Sequence, residues 1–198
     1  MLSLEEMEQM GVPRSQRQGV SDVVLISSRG GSVYERAVME SLIRPGLDRG
    51  GWFARNNAPA LGVVPTGVDE MSVYVLTHYT LPDSHLRRYS FRLDGLTSIR
   101  APYAGGRLLT KAIVFSGRKL VLNYSTSAGG SVKVELWDQA GKPVPGYSAA
   151  ACDEIVGDEI ARTVSWQGNT SVQALAGKIV RLRFELKDAD LFSLRFAP

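Results

Sequence analysis

Arg55-Asn56-Asn57, three residues beyond Trp52, sets a guanidinium fork and two planar amides close to an indole. Side chains of this kind bind sugar hydroxyls; the competing reading is a polar loop whose side chains bond their own backbone. His78-Tyr79, at the end of a predicted strand, could line a cavity together with that loop or simply end a surface strand. Asp69-Glu70 is the best adjacent acid pair in the first half of the chain, and Glu70 opens a strand, where a carboxyl could donate a proton. Its neighbours give no reason for a raised pKa, so an ordinary turn pair competes with that role. Asp153-Glu154 and Asp158-Glu159 cluster around Gly157 and could hold calcium if their oxygens converged. Consecutive acids on an extended chain point to opposite sides, which favours a solvated loop.

Trp137 is the aromatic best placed for sugar contact. Strand parity puts it with Lys133 and Glu135 on a polar face, where an exposed indole can stack on a sugar's C–H surface and its N–H can find a partner. Packing against the first half of the chain is the alternative. Trp166 shares parity with Val164 and Ile160 and reads as core. Cys152 stands between alanines and acids, lacks the basic neighbours that activate a thiol, and reads as structural.

The elements that must position these residues are strands. In Val180 to Leu186 the apolar side chains fall on one face, while Arg181, Arg183 and Glu185 fall on the other. Leu120, Leu122 and Tyr124 repeat the alternation, as do Val132, Val134 and Leu136. Gly129-Gly130 is expected to join those two runs as a hairpin, and Gly141-Lys142-Pro143 to close the next. Adding Leu96 to Ala101, Leu108 to Phe115, Glu159 to Trp166 and Leu191 to Phe196 predicts about seven strands in an antiparallel two-layer sandwich over residues 93–198. Before it, residues 22–92 suggest strands at Val23 to Ser27, Val33 to Arg36, Leu61 to Val64, Met71 to His78 and His85 to Leu93, with turn chemistry at Arg29-Gly30-Gly31-Ser32. Val38 to Ile43 reads as one helical turn. Residues 1–21 form a peripheral segment with a short helix within Leu2 to Met10, stopped by Gly11-Val12-Pro13.

Composition sets the outer bounds. With 198 residues, 44% of them apolar, the chain can build one large core or two small ones. All six lysines lie at position 111 or later, whereas residues 1–92 hold ten arginines and ten acids, which supports a boundary near Leu93. A net charge of +3 on 23 basic and 20 acidic residues, without basic runs, argues against a nucleic-acid groove. One cysteine and two histidines make no zinc constellation. The first twenty residues lack the basic and apolar regions of a signal peptide, and no apolar run suits a membrane helix. No cofactor, nucleic-acid partner or membrane partner is therefore expected.

Four stretches carry a further resemblance: Leu93-Asp94-Gly95-Leu96-Thr97-Ser98-Ile99-Arg100-Ala101, Leu120-Val121-Leu122-Asn123-Tyr124-Ser125-Thr126-Ser127, Gly157-Asp158-Glu159 and Lys187-Asp188-Ala189-Asp190-Leu191-Phe192-Ser193. Together they resemble the tail of bacterial glycosidase-like proteins related to glycoside hydrolase families 32 and 43. The resemblance implies an all-β chain in which residues 22–92 are the last portion of a five-bladed β-propeller and residues 93–198 the C-terminal β-sandwich. It also implies that Trp52, Arg55, Asn56, Asn57, His78 and Tyr79 face the propeller's funnel, and that the module is extracellular or periplasmic. The family's Asn-Asp-Pro-Asn, Arg-Asp-Pro and Glu-Cys signatures are absent from the sequence. A retaining mechanism needs two carboxyls about 5 to 5.5 Å apart, one attacking and one protonating the leaving oxygen. The chain is thus expected to be inactive alone, with carbohydrate, missing propeller blades or further copies of itself as partners. The alternative is a self-standing, non-catalytic carbohydrate-binding or interaction module.

Overall fold

The structure, a computed structural model, describes residues 2–28 and 30–198; Arg29, in the expected turn, lies outside them. It is all-β, with 43% strand against 8% helix, and its sheets are antiparallel. The chain divides into two compact units, Met1–Phe91 and Arg92–Pro198.

Unit 1 opens with helix α1, Leu4–Gln9. Ser3 Oγ accepts from the Glu6 N–H at 3.1 Å while the Glu6 carboxylate accepts from the Ser3 N–H at 2.7 Å, a reciprocal cap that satisfies two orphan donors. Met7 packs with Leu2, Val12 and Phe53 in a small core. Strand β1, Val23–Val24, pairs with β2, Ser41–Ile43, so the expected helical turn over Val38 to Ile43 is corrected to coil and strand. One isolated helical turn gains a single hydrogen bond for three fixed residues, and pairing with the Val23–Val24 edge supplies more. The expected strand at Val33 to Arg36 contracts to a single Ser27–Glu35 bridge.

A four-stranded sheet follows, from β3 (Ala58–Pro59), β4 (Val64–Pro65), β5 (Glu70–Thr77) and β6 (His85–Arg92). Both short strands pair with β5, Ala58 opposite Leu76 and Val64 opposite Ser72, and β6 also pairs with β5. The expected strand over Leu61 to Val64 is interrupted because Gly62 takes a φ of +95° and throws Leu61 into solvent.

Unit 2 is sandwich-like. Its strands are β7 (Ile99–Ala101), β8 (Gly106–Leu109), β9 (Ile113–Val114), β10 (Lys119–Trp137), β11 (Asp158–Thr163) and β12 (Ile179–Ala197). They lie in the order β11-β10-β12-β7, with β8 and β9 also paired to β12. The expected hairpin at Gly129-Gly130 does not form. The runs at 120–124 and 132–136 are two arms of one strand, and both pair with β12, Leu122 opposite Leu194 and Val134 opposite Phe184.

This two-stranded ribbon folds on itself. Leu108 pairs opposite Phe184, yet it lines one cavity of about 430 Å³ with Leu194, ten residues further along β12. A straight strand would separate those positions by roughly 34 Å. Phe115 likewise stacks on Phe196 with ring centroids 3.7 Å apart, although neighbouring Ile113 pairs with Val180 near the other end of β12. The register breaks at the fold, where Thr126 faces Ala189 and Ser131 faces Lys187, leaving residues 127–130 against Asp188 alone. Asp188 has a φ of +40°, and a Cβ on Gly130 would lie 2.4 Å from its carbonyl oxygen.

Folding the ribbon turns its apolar parity inward from both arms. Leu120, Leu122, Tyr124 and Leu191 come from one arm; Val132, Val134, Leu136, Val180, Leu182, Phe184 and Leu186 come from the other, all nearly solvent-free. Each such side chain contributes roughly 1.5 to 3 kcal/mol by burial. Trp166 joins them, its indole N–H donating to the Val134 carbonyl at 2.9 Å, as its parity indicated.

Gly130→Ala is expected to lower unfolding stability by roughly 2 kcal/mol or more, because the new methyl meets backbone rather than a movable side chain. Gly129→Ala, whose Cβ would rest 3.6 Å from the Tyr103 ring, serves as control and is expected to change little. Chemical denaturation of both variants checks this, and equal stabilities would refute the close approach.

Candidate functional site

The 3-10 turn Arg49–Gly51 is capped by Asp48, and the chain leaves it through Trp52 to a buried Phe53. The Trp52 indole N–H donates to the Gly46 carbonyl at 2.7 Å, with its ring against the α1 cluster. Asn57 Nδ2 donates to the carbonyls of Ser21 (2.9 Å) and Gly51 (3.3 Å), and Asn56 Oδ1 accepts from the Tyr79 N–H at 2.8 Å. Asn57 and Asn56 are buried, at 5% and 1% exposure, so their amides bind backbone, much of it from the distant Ser21 and Tyr79, rather than solvent. Arg55 keeps an exposed side chain, and its N–H donates to Ser21 Oγ at 2.8 Å. Arg55, Asn57 and His78 all adopt left-handed φ, between 56° and 68°, which marks built turns.

His78 is the charged centre of unit 1. Its Nε2 lies 2.8 Å from an Asp48 oxygen and its Nδ1 2.6 Å from an Asp83 oxygen. A neutral imidazole has one donor and one acceptor nitrogen, so only the imidazolium satisfies both carboxylates. Burial pulls its pKa down, but the bonds to Asp83 and Asp48 outweigh burial and hold it above the ordinary value. Burial likewise opposes ionisation of Asp48, and Arg87 at 2.8 Å together with His78 overcomes it, leaving that carboxyl below its usual range. Gly50 is required here, since a Cβ would sit 2.5 Å from His78 Nε2. His85 packs edge-on at 5.1 Å. Sequence reasoning singled out His78 but missed Asp48, Asp83 and Arg87, which lie up to thirty residues away and carry no local signal. Tyr79 is half-buried beside this clamp.

The acids considered for catalysis or calcium go to separate partners. Glu70 accepts from Thr66 Oγ1 at 2.8 Å and pairs with Arg88; the Thr66 bond comes first among the causes that keep its pKa low. Asp153 accepts from Ser165 and Gly168, Asp158 pairs with Arg92, and Glu159 binds Arg162 at 3.2 Å. No group of three or more His, Cys, Asp or Glu among the described residues is arranged to hold a metal. Cys152 is buried, which raises its thiol pKa.

In unit 2, Trp137 lies on the outer face of β10 and β12, but it is only half-exposed. The expectation of an exposed indole whose N–H finds a partner is corrected: the residue is half-buried, and Nε1 is buried without a partner among the described residues. The Arg183 guanidinium lies 5.7 Å from the ring centroid. Arg183 also binds Glu135 at 2.6 Å and Glu185 at 2.8 Å, so Glu135, 6% exposed, is paired rather than orphaned. Glu135 comes first among the groups that hold the Arg183 pKa up. The outward parity of Glu135, Arg183 and Glu185 was legible, but the Val134–Phe184 register that brings them together was not.

Because the folded-state His78 pKa is raised, its clamp contributes fully below about pH 6.5 and is lost as pH rises through the folded value. The lowered Asp48 pKa sets the opposite edge, with loss below about pH 3.9. An NMR titration of the ring protons is expected to give His78 a midpoint above the 6.5 of an unperturbed histidine, falling in Asp83→Asn. A midpoint at or below the unperturbed histidine value would contradict the clamp.

No family model, curated protein or solved structure matches this chain.

Proposed function

We propose that the chain is the C-terminal segment of a glycosidase-like protein, inactive alone, whose sandwich unit braces the propeller and contacts glycan through Trp137. The observation that carries the glycan contact is Trp137, half-buried on an outer sheet face, opposite Arg181 and with the Arg183 guanidinium over its ring. A flat apolar ring amid charged donors and acceptors matches a sugar's C–H face and its hydroxyls.

For the propeller part, the support is an exposed apolar set in unit 1. Leu61, Val63, Val64, Val68 and Leu86 are 40% to 104% exposed in and around the four-stranded sheet. A propeller blade buries such side chains against its neighbours. For inactivity, the support is electrostatic. Glu70, the candidate proton donor, has its pKa held low by its bond to Thr66, whereas a general acid needs a raised one. One observation favours the self-standing binding module instead: unit 2 encloses a complete core of its own.

The purified chain is expected not to hydrolyse aryl glycosides; turnover abolished by Glu70→Gln would overturn the inactive reading. On a glycan array, Trp137→Ala is expected to weaken every positive signal at least fivefold. Undiminished binding would remove Trp137 as the platform.

A further inference from the structure

We infer that the outer face around Trp137 is a site for an acidic, uronate-bearing polysaccharide, with Arg181 as the principal carboxylate partner. This rests on the glycan reading of the same face and names the class of glycan.

The antiparallel register places Trp137 opposite Arg181, Glu135 opposite Arg183, Lys133 opposite Glu185 and Ser131 opposite Lys187, all on the face turned away from the core. From β8, Arg107 adds to the Glu185 row and Leu109 to the Arg183 row. The face therefore presents five basic side chains to two acids. The acids are already engaged: Arg183 bridges Glu135 and Glu185, and Arg107 reaches Glu185 at 3.7 Å. Lys187 sits 4.3 Å from the centre of the Tyr103 ring. Arg181 and Lys133 make no ion pair among the described residues, and Arg181 is directly across from the Trp137 ring. An unpaired guanidinium fork beside an aromatic face suits a pyranose that carries a carboxylate, through two parallel hydrogen bonds.

Lys133 lies four residues from Trp137 along β10, roughly 14 Å, the span of a short oligosaccharide. Glu185, with a side chain 38% exposed, lies in the row opposite Lys133; Arg183 and Arg107 both approach its Oε1, and its Oε2 can accept from sugar hydroxyls. Those interleaved carboxylates favour sparse charge among hydroxyls. A nucleic-acid strand, with a phosphate about every 3.4 Å, would meet Glu135 and Glu185 as repulsion.

Affinity electrophoresis of the full chain against polygalacturonate and its fully methyl-esterified form tests the inference. The acid polymer is expected to bind at least tenfold more tightly, weakening with salt. Arg181→Gln is expected to cut that affinity at least fivefold, while Lys119→Gln, an equal charge change at the far end of β10, stays within twofold. Equal affinity for both polymers would overturn the acidic class while leaving the glycan reading standing. Failure to bind polygalacturonate or alginate, with neutral glycans still bound, does the same; failure with all of them sinks both readings. Tighter binding to oligo-dT than to polygalacturonate would also overturn the inference.

Discussion

Gly130 lies so close to the Asp188 carbonyl that any side chain there would collide with backbone, and the whole of unit 2 follows from that approach. It lets a single antiparallel ribbon of two 19-residue strands fold back, so that its two arms become the two layers of the sandwich. One face of the ribbon then becomes core from both sides; on the opposite face Val121 and Asn123 are also buried, Asn123 bonded to Arg92 and to the Leu93 carbonyl. Without the fold, Leu120, Leu122 and Tyr124 would have no opposing layer and the apolar stripe would face water. The remaining strands β7, β8, β9 and β11 extend the edges of this ribbon rather than create the architecture.

The period-2 pattern made the inward and outward residues of unit 2 legible, because alternation depends only on local pleating. Val132, Val134, Leu136, Val180, Leu182 and Phe184 are buried as their parity indicated. What periodicity cannot carry is which run pairs with which. Gly129-Gly130 between two alternating runs has the chemistry of a hairpin turn, and only the unbroken partner β12 makes it a bend within one strand. The same limit applies at Ser41–Ile43, whose pairing with Val23–Val24 is set some twenty residues away. The boundary between units falls after Phe91, one residue before the position that the lysine distribution and strand pattern suggested.

The two candidate regions differ in what their polar groups do. Around Trp52 the amides of Asn56 and Asn57 hold backbone in left-handed turns, and His78 closes a carboxylate clamp across Asp48 and Asp83. These groups stabilise a turn and leave little free valence for a ligand. Around Trp137 the opposite holds: Arg183 neutralises Glu135 and Glu185 and lies over the indole, which leaves Arg181 and Lys133 without an ion-pair partner among the described residues. That contrast is why the functional reading rests on unit 2, although the sequence offered more candidates in unit 1.

The folded-back ribbon is most directly tested by proton NOEs in the aromatic and methyl region. A folded-back ribbon gives strong contacts between the Phe115 and Phe196 rings and between Leu108 and Leu194 methyls, with backbone contacts from both arms of β10 to β12. Direct cross-strand Hα contacts between residues 120–126 and 131–137, without the Phe115–Phe196 contact, would mean a local hairpin and contradict it.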